Sequence, residues 1–245
     1  MDGGSASDGR AAVPTKISVD STYIDRHLVD SGRKLRATLK CAMYSNPVVN
    51  QGELFPASLP DGFLYQQEFL SDIEERELLR AIEHESFEAF DFHGYTAKRL
   101  TVEYGLEYDF GTRRASTTQP FPEFLLALRE GAAAFAGLPA NALVEGMILQ
   151  YPPGAPIGWH RDAPQFGTVI GISLLNPARM RLKPYRKQGK IISVTLEPRS
   201  IYVLRGSVRW QWQHSIPPVD KLRYSITFRT LREDETRDAE SRSVA

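Results

Sequence analysis

Leu222-Arg223-Tyr224-Ser225-Ile226-Thr227-Phe228-Arg229 alternates without a break between apolar and polar side chains. In an extended chain, successive side chains point to opposite faces. Leu222, Tyr224, Ile226 and Phe228 therefore fill one face, and Arg223, Ser225, Thr227 and Arg229 the other. Six further short β-rich runs precede this strand: Val144–Gln150, Thr168–Leu174, Met180–Pro184, Ile191–Leu196, Ser200–Leu204 and Val208–His214. Pro and Gly punctuate them. Seven runs at this spacing predict an all-β sandwich or barrel rather than alternating β/α units.

Upstream the pattern differs. Gly62–Tyr65 reads as a first strand. Ser71 followed by Glu74 is a capping box, and Leu78, Leu79 and Ile82 give the helix behind it an apolar stripe. A second helix opens at Pro122, is lined by Phe124, Leu125, Leu128 and Phe135, and stops at Gly137. Both helices are expected on the outside of one sheet. Residues 1–52 read as a weakly ordered extension, 53–232 as the folded domain and 233–245 as a charged tail.

At 245 residues the chain supports one large domain with tails. Its 42% apolar and 24% charged residues fit a soluble globular protein. No run approaches the ~18–20 apolar residues of a membrane helix, and the N-terminal stretch lacks a secretory pattern. The single cysteine, Cys41, excludes an internal disulfide and fits a reducing cytoplasm. A monomer is expected. The formal net charge is zero, so any nucleic-acid contact must come from a local patch. Arg179, Arg181, Lys183, Arg186, Lys187 and Lys190 form such a patch around a turn at Gln188-Gly189, unless they are only the solvated face of a hairpin.

His160-Arg161-Asp162 sets two metal-ligating side chains two residues apart, hence on one face of an extended segment. His214 lies near the end of another run. Two imidazoles and one carboxylate occupy half of an octahedral shell, which suits non-haem Fe(II) with positions left for a bidentate co-substrate and O2. A structural zinc is normally closed by four ligands and often uses cysteine. Arg223 and Arg229 lie roughly 20 Å apart along their strand, at ~3.3 Å per residue. Their planar forks, leaning inward, suit the two ends of a small diacid. The competing reading is a polar outer face on an edge strand.

Tyr151-Pro152-Pro153-Gly154, His160-Arg161-Asp162, His214-Ser215 and the RYSITFR run ending at Arg229 together resemble the AlkB-like Fe(II)/2-oxoglutarate dioxygenases, over about residues 60–232. The resemblance implies a double-stranded β-helix, or jelly roll, mainly β with flanking helices. It implies Fe(II) on His160, Asp162 and His214, with 2-oxoglutarate as co-substrate. Arg223 would pair with the distal carboxylate of 2-oxoglutarate, Arg229 would lie near its C1 end, and Tyr151 would hydrogen-bond it. Leu149 and Ser225 stand where the family often has Asn. The implied reaction is oxidative dealkylation of N-alkylated bases in DNA or RNA.

One feature keeps other substrates open. Repair members often carry acidic residues after the His-x-Asp element, and this chain has Ala163-Pro164-Gln165. A protein or small-molecule substrate, or a catalytically inactive jelly-roll binding module, are the alternatives. The stretch Arg99–Phe110 resembles the family's substrate-covering loops, or else forms a strand packed in the core. Tyr104, Tyr108, Trp159 and Arg161 are the candidate substrate contacts.

Overall fold

The strand Leu222–Arg229 lies in the middle of a sheet, not at its edge. The computed structural model describes residues 59–92, 95–109 and 114–232, without the side chains of 90–92, 95–96, 107–109 and 114–116. Cys41, the N-terminal extension and the charged tail fall outside the described residues.

In chain order the strands are β1 (Phe63–Gln66), β2 (Glu88–Phe92), β3 (Tyr95–Asp109), β4 (Arg114–Thr117), β5 (Leu143–Tyr151), β6 (Ile157–His160), β7 (Phe166–Leu174), β8 (Ala178–Pro184), β9 (Ile192–Leu196), β10 (Ile201–Leu204), β11 (Trp212–Ile216) and β12 (Arg223–Leu231). The helices are α1 (Asp72–Ile82), α2 (Glu123–Ala136) and α3 (Gly206–Gln211). The larger sheet runs β1-β10-β7-β12-β5-β3-β2, with β4 paired to β3, and the smaller runs β6-β11-β8-β9. The strand pairs are antiparallel. The chain thus has a mainly β, jelly-roll core with helices against one sheet.

The two faces of β12 decide where the site sits. Tyr224, Ile226 and Phe228 join Leu78, Ile82, Leu125, Leu128 and Ala132 in a core between the larger sheet and α1 and α2. The opposite faces of that sheet contribute Leu149, Tyr151, Val169 and Tyr202 to a second core with Met180, Leu182 and Ile216 of the smaller sheet. Arg223, Ser225 and Thr227 are buried on that second side. The polar face of the strand therefore lines the space between the sheets.

Helix α1 begins as its sequence predicts. The Ser71 hydroxyl accepts from the Glu74 backbone N–H, and Glu74 accepts from the Ser71 backbone N–H. Pro122 is the N-cap of α2 rather than its first helical residue, and Gly137 closes the helix at φ 69°. Glu75 accepts from the Leu175 backbone N–H, and Arg199 pairs with Asp72 and Glu75, fixing α1 to the sheet.

One expectation is corrected. Val208–His214 is not one strand: α3 occupies Gly206–Gln211, and β11 starts at Trp212. Gly206 takes φ 55°, a turn conformation open to glycine, and the following turn buries Val208 and Arg209. Of the two readings of Arg99–Phe110, the strand holds over its described part, which belongs to the long strand β3. Its register with β5 pairs Tyr104 with Gly146, which carries the strand into the sheet interior.

Candidate metal centre

His160 ends β6, and His214 faces it directly across the β6–β11 pair. Their rings are 4.2 Å apart, centroid to centroid. Asp162 stands just beyond β6. The ligand atoms of His160, Asp162 and His214 all lie within 4.8 Å of one another. Among the described residues this is the one such cluster of His, Cys, Asp and Glu.

The hydrogen bonds around the cluster hold it in a metal-ready form. His160 Nδ1 donates to the Gly158 carbonyl at 2.9 Å, because a carbonyl can only accept. That leaves Nε2 as the ligand atom, the arrangement by which proteins orient metal-bound histidines. Arg229 Nε donates to Asp162 Oδ1 at 3.1 Å. The other carboxylate oxygen, Oδ2, is buried without a donor and lies 3.8 Å from His214 Nε2. A buried carboxylate oxygen without a partner is costly, and a cation between the three side chains supplies one. The donor set and this orphaned oxygen fit a two-histidine, one-carboxylate ion such as Fe(II).

The electrostatics agree. Burial raises the Asp162 carboxyl, but Arg229, His214, Arg209 and His160 outweigh it and hold the group well below the usual carboxylate range. Burial lowers His160, and it lowers His214 to about 3, with the neighbouring His160 adding to the effect. Near neutral pH the three ligands are therefore already deprotonated, as metal binding requires.

Arg223 defines the other half of the site. It is fully buried opposite Tyr151 in the β12–β5 register, with its guanidinium 5.0 Å from the Tyr151 ring centroid. Its Nη2 donates to Ser173 Oγ at 3.0 Å, while Nε and Nη1 have no hydrogen-bond partner. A buried guanidinium with two unsatisfied donors calls for an anionic or other acceptor partner. Ser225, also buried, lies between Arg223 and Arg229 on the same face.

Arg229 does more for Asp162 than its position at the strand end suggests. Its Nη1 also donates to Glu145 Oε1, directly opposite in the β12–β5 register. Glu145 is 2% exposed, and burial raises it to about 7 against the pull of Arg229. Nε and Nη1 of Arg229 thus both face protein carboxylates.

Three positioning side chains escaped the sequence reading. Glu145 is one. Arg209 is another: buried on α3, it donates through Nη2 to the carbonyls of Asp162, Ala163 and Phe166 and through Nε to Gly167. It clamps the loop that carries Asp162. Tyr202 is the third: buried, with its ring lying over Gly171 and in the same field as Asp162, Tyr151, Arg223 and Arg229. A Cβ on Gly171 would come within 2.2 Å of the Tyr202 ring, so the close approach requires glycine. A tyrosine two residues before a strand end and a lone Glu in an apolar run were the available signals.

The substrate candidates separate. Tyr104 is 2% exposed and stacks on Phe121 at 6.4 Å, so it is a core residue and presents no ring to a substrate. The side chain of Tyr108 lies outside the described residues. Trp159 precedes His160 on β6 and so faces away from it; Arg181 and Lys183 approach its ring. Arg161 is exposed, donates to the Trp210 carbonyl and lies 3.7 Å over the Tyr185 ring. Gln165 was not among the candidates, yet both polar atoms of its carboxamide are buried without partners.

The family model described as the 2OG-Fe(II) oxygenase superfamily matches residues 62–229, the span that holds every residue of this site. The chain belongs to the 2OG-Fe(II) oxygenase superfamily, as an AlkB-like member. Such oxygenases use Fe(II), 2-oxoglutarate and O2. The bovine mitochondrial alpha-ketoglutarate-dependent dioxygenase alkB homolog 7 is 30% identical over 174 residues, which cover 69% of this oxygenase and 73% of the relative. An Arabidopsis thaliana alkylated DNA repair protein, an ALKBH8 homolog, is 26% identical, over 72% of this chain and 59% of that one. A Xenopus tropicalis tRNA (carboxymethyluridine(34)-5-O)-methyltransferase, alkbh8, is 27% identical over 68% of this chain but only 27% of its own length. The oxygenase therefore spans just over half of the plant relative and about a quarter of the frog one. The solved structure of OsALKBH1 superposes with a TM-score of 0.56 at 15% identity, covering 71% of this chain and 100% of that one, and shares the fold.

Proposed function

We propose that this chain oxidatively dealkylates N-alkylated bases in nucleic acid, with His160, Asp162 and His214 holding Fe(II) and Arg223, Tyr151 and Ser225 holding 2-oxoglutarate. The carrying observation is the pairing of an orphaned Asp162 Oδ2 with a buried Arg223 that has two unsatisfied donors. One calls for a cation and the other for an anionic or other acceptor partner. When bound, the iron and 2-oxoglutarate supply the oxidation of a substrate C–H bond by O2, with succinate and CO2 as co-products.

The protein's own contribution is orientation and exclusion of water. His160 is fixed by Gly158, and Asp162 by Arg229 and Arg209, so the ligands need little reorganisation when metal enters. Arg223, braced by Ser173, gives the distal carboxylate one orientation. No general base is required at an N-methyl group: once the carbon is hydroxylated, the hemiaminal collapses to formaldehyde and the free nitrogen.

Two things support nucleic acid as the substrate. Relatives named for alkylated DNA repair and for tRNA modification match this domain. Cations cluster on β8 and the turn after it, beside the site. The neutral Ala163-Pro164-Gln165 stretch supplies no acidic base reader, so the reading rests on those two features. A monomeric enzyme in the cytoplasm completes the proposal; the bovine relative's name places that protein in mitochondria.

The test is anaerobic reconstitution with Fe(II), followed by parallel succinate and formaldehyde assays on N-methylated single-stranded DNA, RNA and methylated protein. Stoichiometric succinate and formaldehyde from DNA or RNA is the expected result. Formaldehyde from methylated protein alone would refute the nucleic-acid assignment.

A further inference from the structure

The formal neutrality of the chain conceals a strongly one-sided stretch. Between Asp162 and Asp220 the sequence holds nine Lys and Arg residues and one acid, Glu197. Six of the nine fall within residues 179–190, on β8 and the turn that joins it to β9.

Strand alternation puts part of this charge on the outer face of the smaller sheet. Met180 and Leu182 are buried in the inter-sheet core, so Arg179, Arg181 and Lys183 face outward. Register places Arg181 beside Ser215 and Ser193, Arg179 beside Thr195, and Lys183 beside Gln213. Trp159, on edge strand β6, belongs to the same outer face: Lys183 Nζ lies 4.3 Å and the Arg181 guanidinium 5.0 Å from its ring centroid. At the end of β8, Tyr185 is flanked by Arg161 at 3.7 Å and Arg186 at 5.0 Å. Arg186, Lys187 and Lys190 are exposed at the turn. Among the described residues, none of these cations pairs with a carboxylate.

We infer that this outer face is a second binding surface, one that holds the backbone of single-stranded nucleic acid while a base is delivered to the iron site. Unpaired cations supply phosphate contacts, and rings set among those cations supply stacking platforms, the combination by which proteins hold single strands without reading sequence. A merely acidic peptide would use the charge but gives no stacking role to Trp159 and Tyr185. Position adds to the argument. Trp159 and His160 are neighbours on the edge strand, one facing out and the other facing the metal centre. A strand lying across the sheet therefore crosses β6 beside the ligands. The inference rests on the nucleic-acid reading of the site and extends it to a surface outside the site.

Fluorescence anisotropy of the full chain with labelled, unmodified oligo(dT) and oligo(U), over a series of salt concentrations, tests it. The triple variant Arg186→Ala, Lys187→Ala, Lys190→Ala should bind at least tenfold more weakly at low salt. Its log–log salt slope should fall by about two, from roughly 0.7 per lost phosphate contact. Trp159→Leu should weaken binding about tenfold with the slope unchanged, because stacking releases no counterions. Uncoupled conversion of 2-oxoglutarate should be the same in the triple variant as in the parent.

Unchanged affinity and slope in the triple variant would overturn the inference. So would parent binding to poly-aspartate, or to vesicles containing phosphatidylserine, as tight as to oligonucleotide at equal ionic strength. If the triple variant loses oligonucleotide binding while the parent dealkylates no methylated base, the surface stands and the substrate reading fails. If methylated oligonucleotides are dealkylated and the variant binds them normally, the substrate reading stands and the surface fails.

Discussion

Arg229 Nε donates to Oδ1 of Asp162 at 3.1 Å, which leaves Oδ2 as the oxygen that faces His214. The arginine thereby decides which carboxylate oxygen is offered to a metal and at what angle. Groups that orient a ligand in this way typically change metal affinity 10–100-fold when removed. Arg229→Gln should therefore weaken Fe(II) or Mn(II) binding by about that factor, measured by anaerobic titration. Unchanged affinity would remove Arg229 from this role.

Glu145 shares Arg229 with Asp162, and it is buried near the start of β5. Breaking one side of a buried ion pair costs ~3–5 kcal/mol, mostly as an uncompensated charge. Glu145→Ala should lower stability by about 3 kcal/mol in chemical unfolding of the metal-free protein, discounted because Asp162 still holds Arg229. A loss under about 1 kcal/mol would show that the pair contributes little.

Arg223→Ala should raise the apparent 2-oxoglutarate requirement by roughly a hundredfold or more while leaving Fe(II) affinity close to that of the parent. Two charge-assisted hydrogen bonds at ~1.5–3 kcal/mol each set that scale. Arg223→Lys should recover only part of the loss, since an ammonium cannot reproduce the fixed, planar donor set of a guanidinium. The check is succinate formation as a function of 2-oxoglutarate concentration. An unchanged requirement in Arg223→Ala would refute the assignment.

Metal affinity should respond little to pH between about 7 and 5.5. An ordinary histidine, protonating near 6.5, would lose affinity steadily below that pH because the proton competes with the metal. Here burial lowers His160, and lowers His214 to about 3, so both remain neutral across the window. The same depression has a stability consequence: the unfolded chain takes up these protons below about 6.5 and the folded metal-free chain does not, so the histidines destabilise the fold as pH drops from 6.5 toward 3. Mn(II) titrations at pH 7.0, 6.3 and 5.5 check the first part. A tenfold fall per pH unit starting at 6.5 would contradict it.

The parts of the site that could be read in the sequence are those written in local periodicity. The alternation of Leu222–Arg229 placed Arg223 and Ser225 on one face, and the i, i+2 spacing of His160 and Asp162 brought both to one place. What could not be read depends on pairing between distant strands. Glu145 is an acid within the apolar run Leu143–Tyr151, and only the β5–β12 register shows that it meets Arg229. Arg209 falls in the run Val208–His214, which reads as a strand, whereas Gly206 starts a helical turn that aims the guanidinium at the Asp162 loop. The polar face of β12 also fits an edge strand when read alone. Its central place follows from β5 and β7 pairing on either side, which no local pattern encodes.

The most direct test of the central claim is the visible charge-transfer absorption that develops when 2-oxoglutarate chelates Fe(II) on the protein under anaerobic conditions. The band should require both Fe(II) and 2-oxoglutarate. It should be abolished in Asp162→Ala, and in Arg223→Ala it should need far more 2-oxoglutarate. Absence of the band from the parent protein, or an equal band in Asp162→Ala, would contradict the assignment of His160, Asp162 and His214 as the iron site.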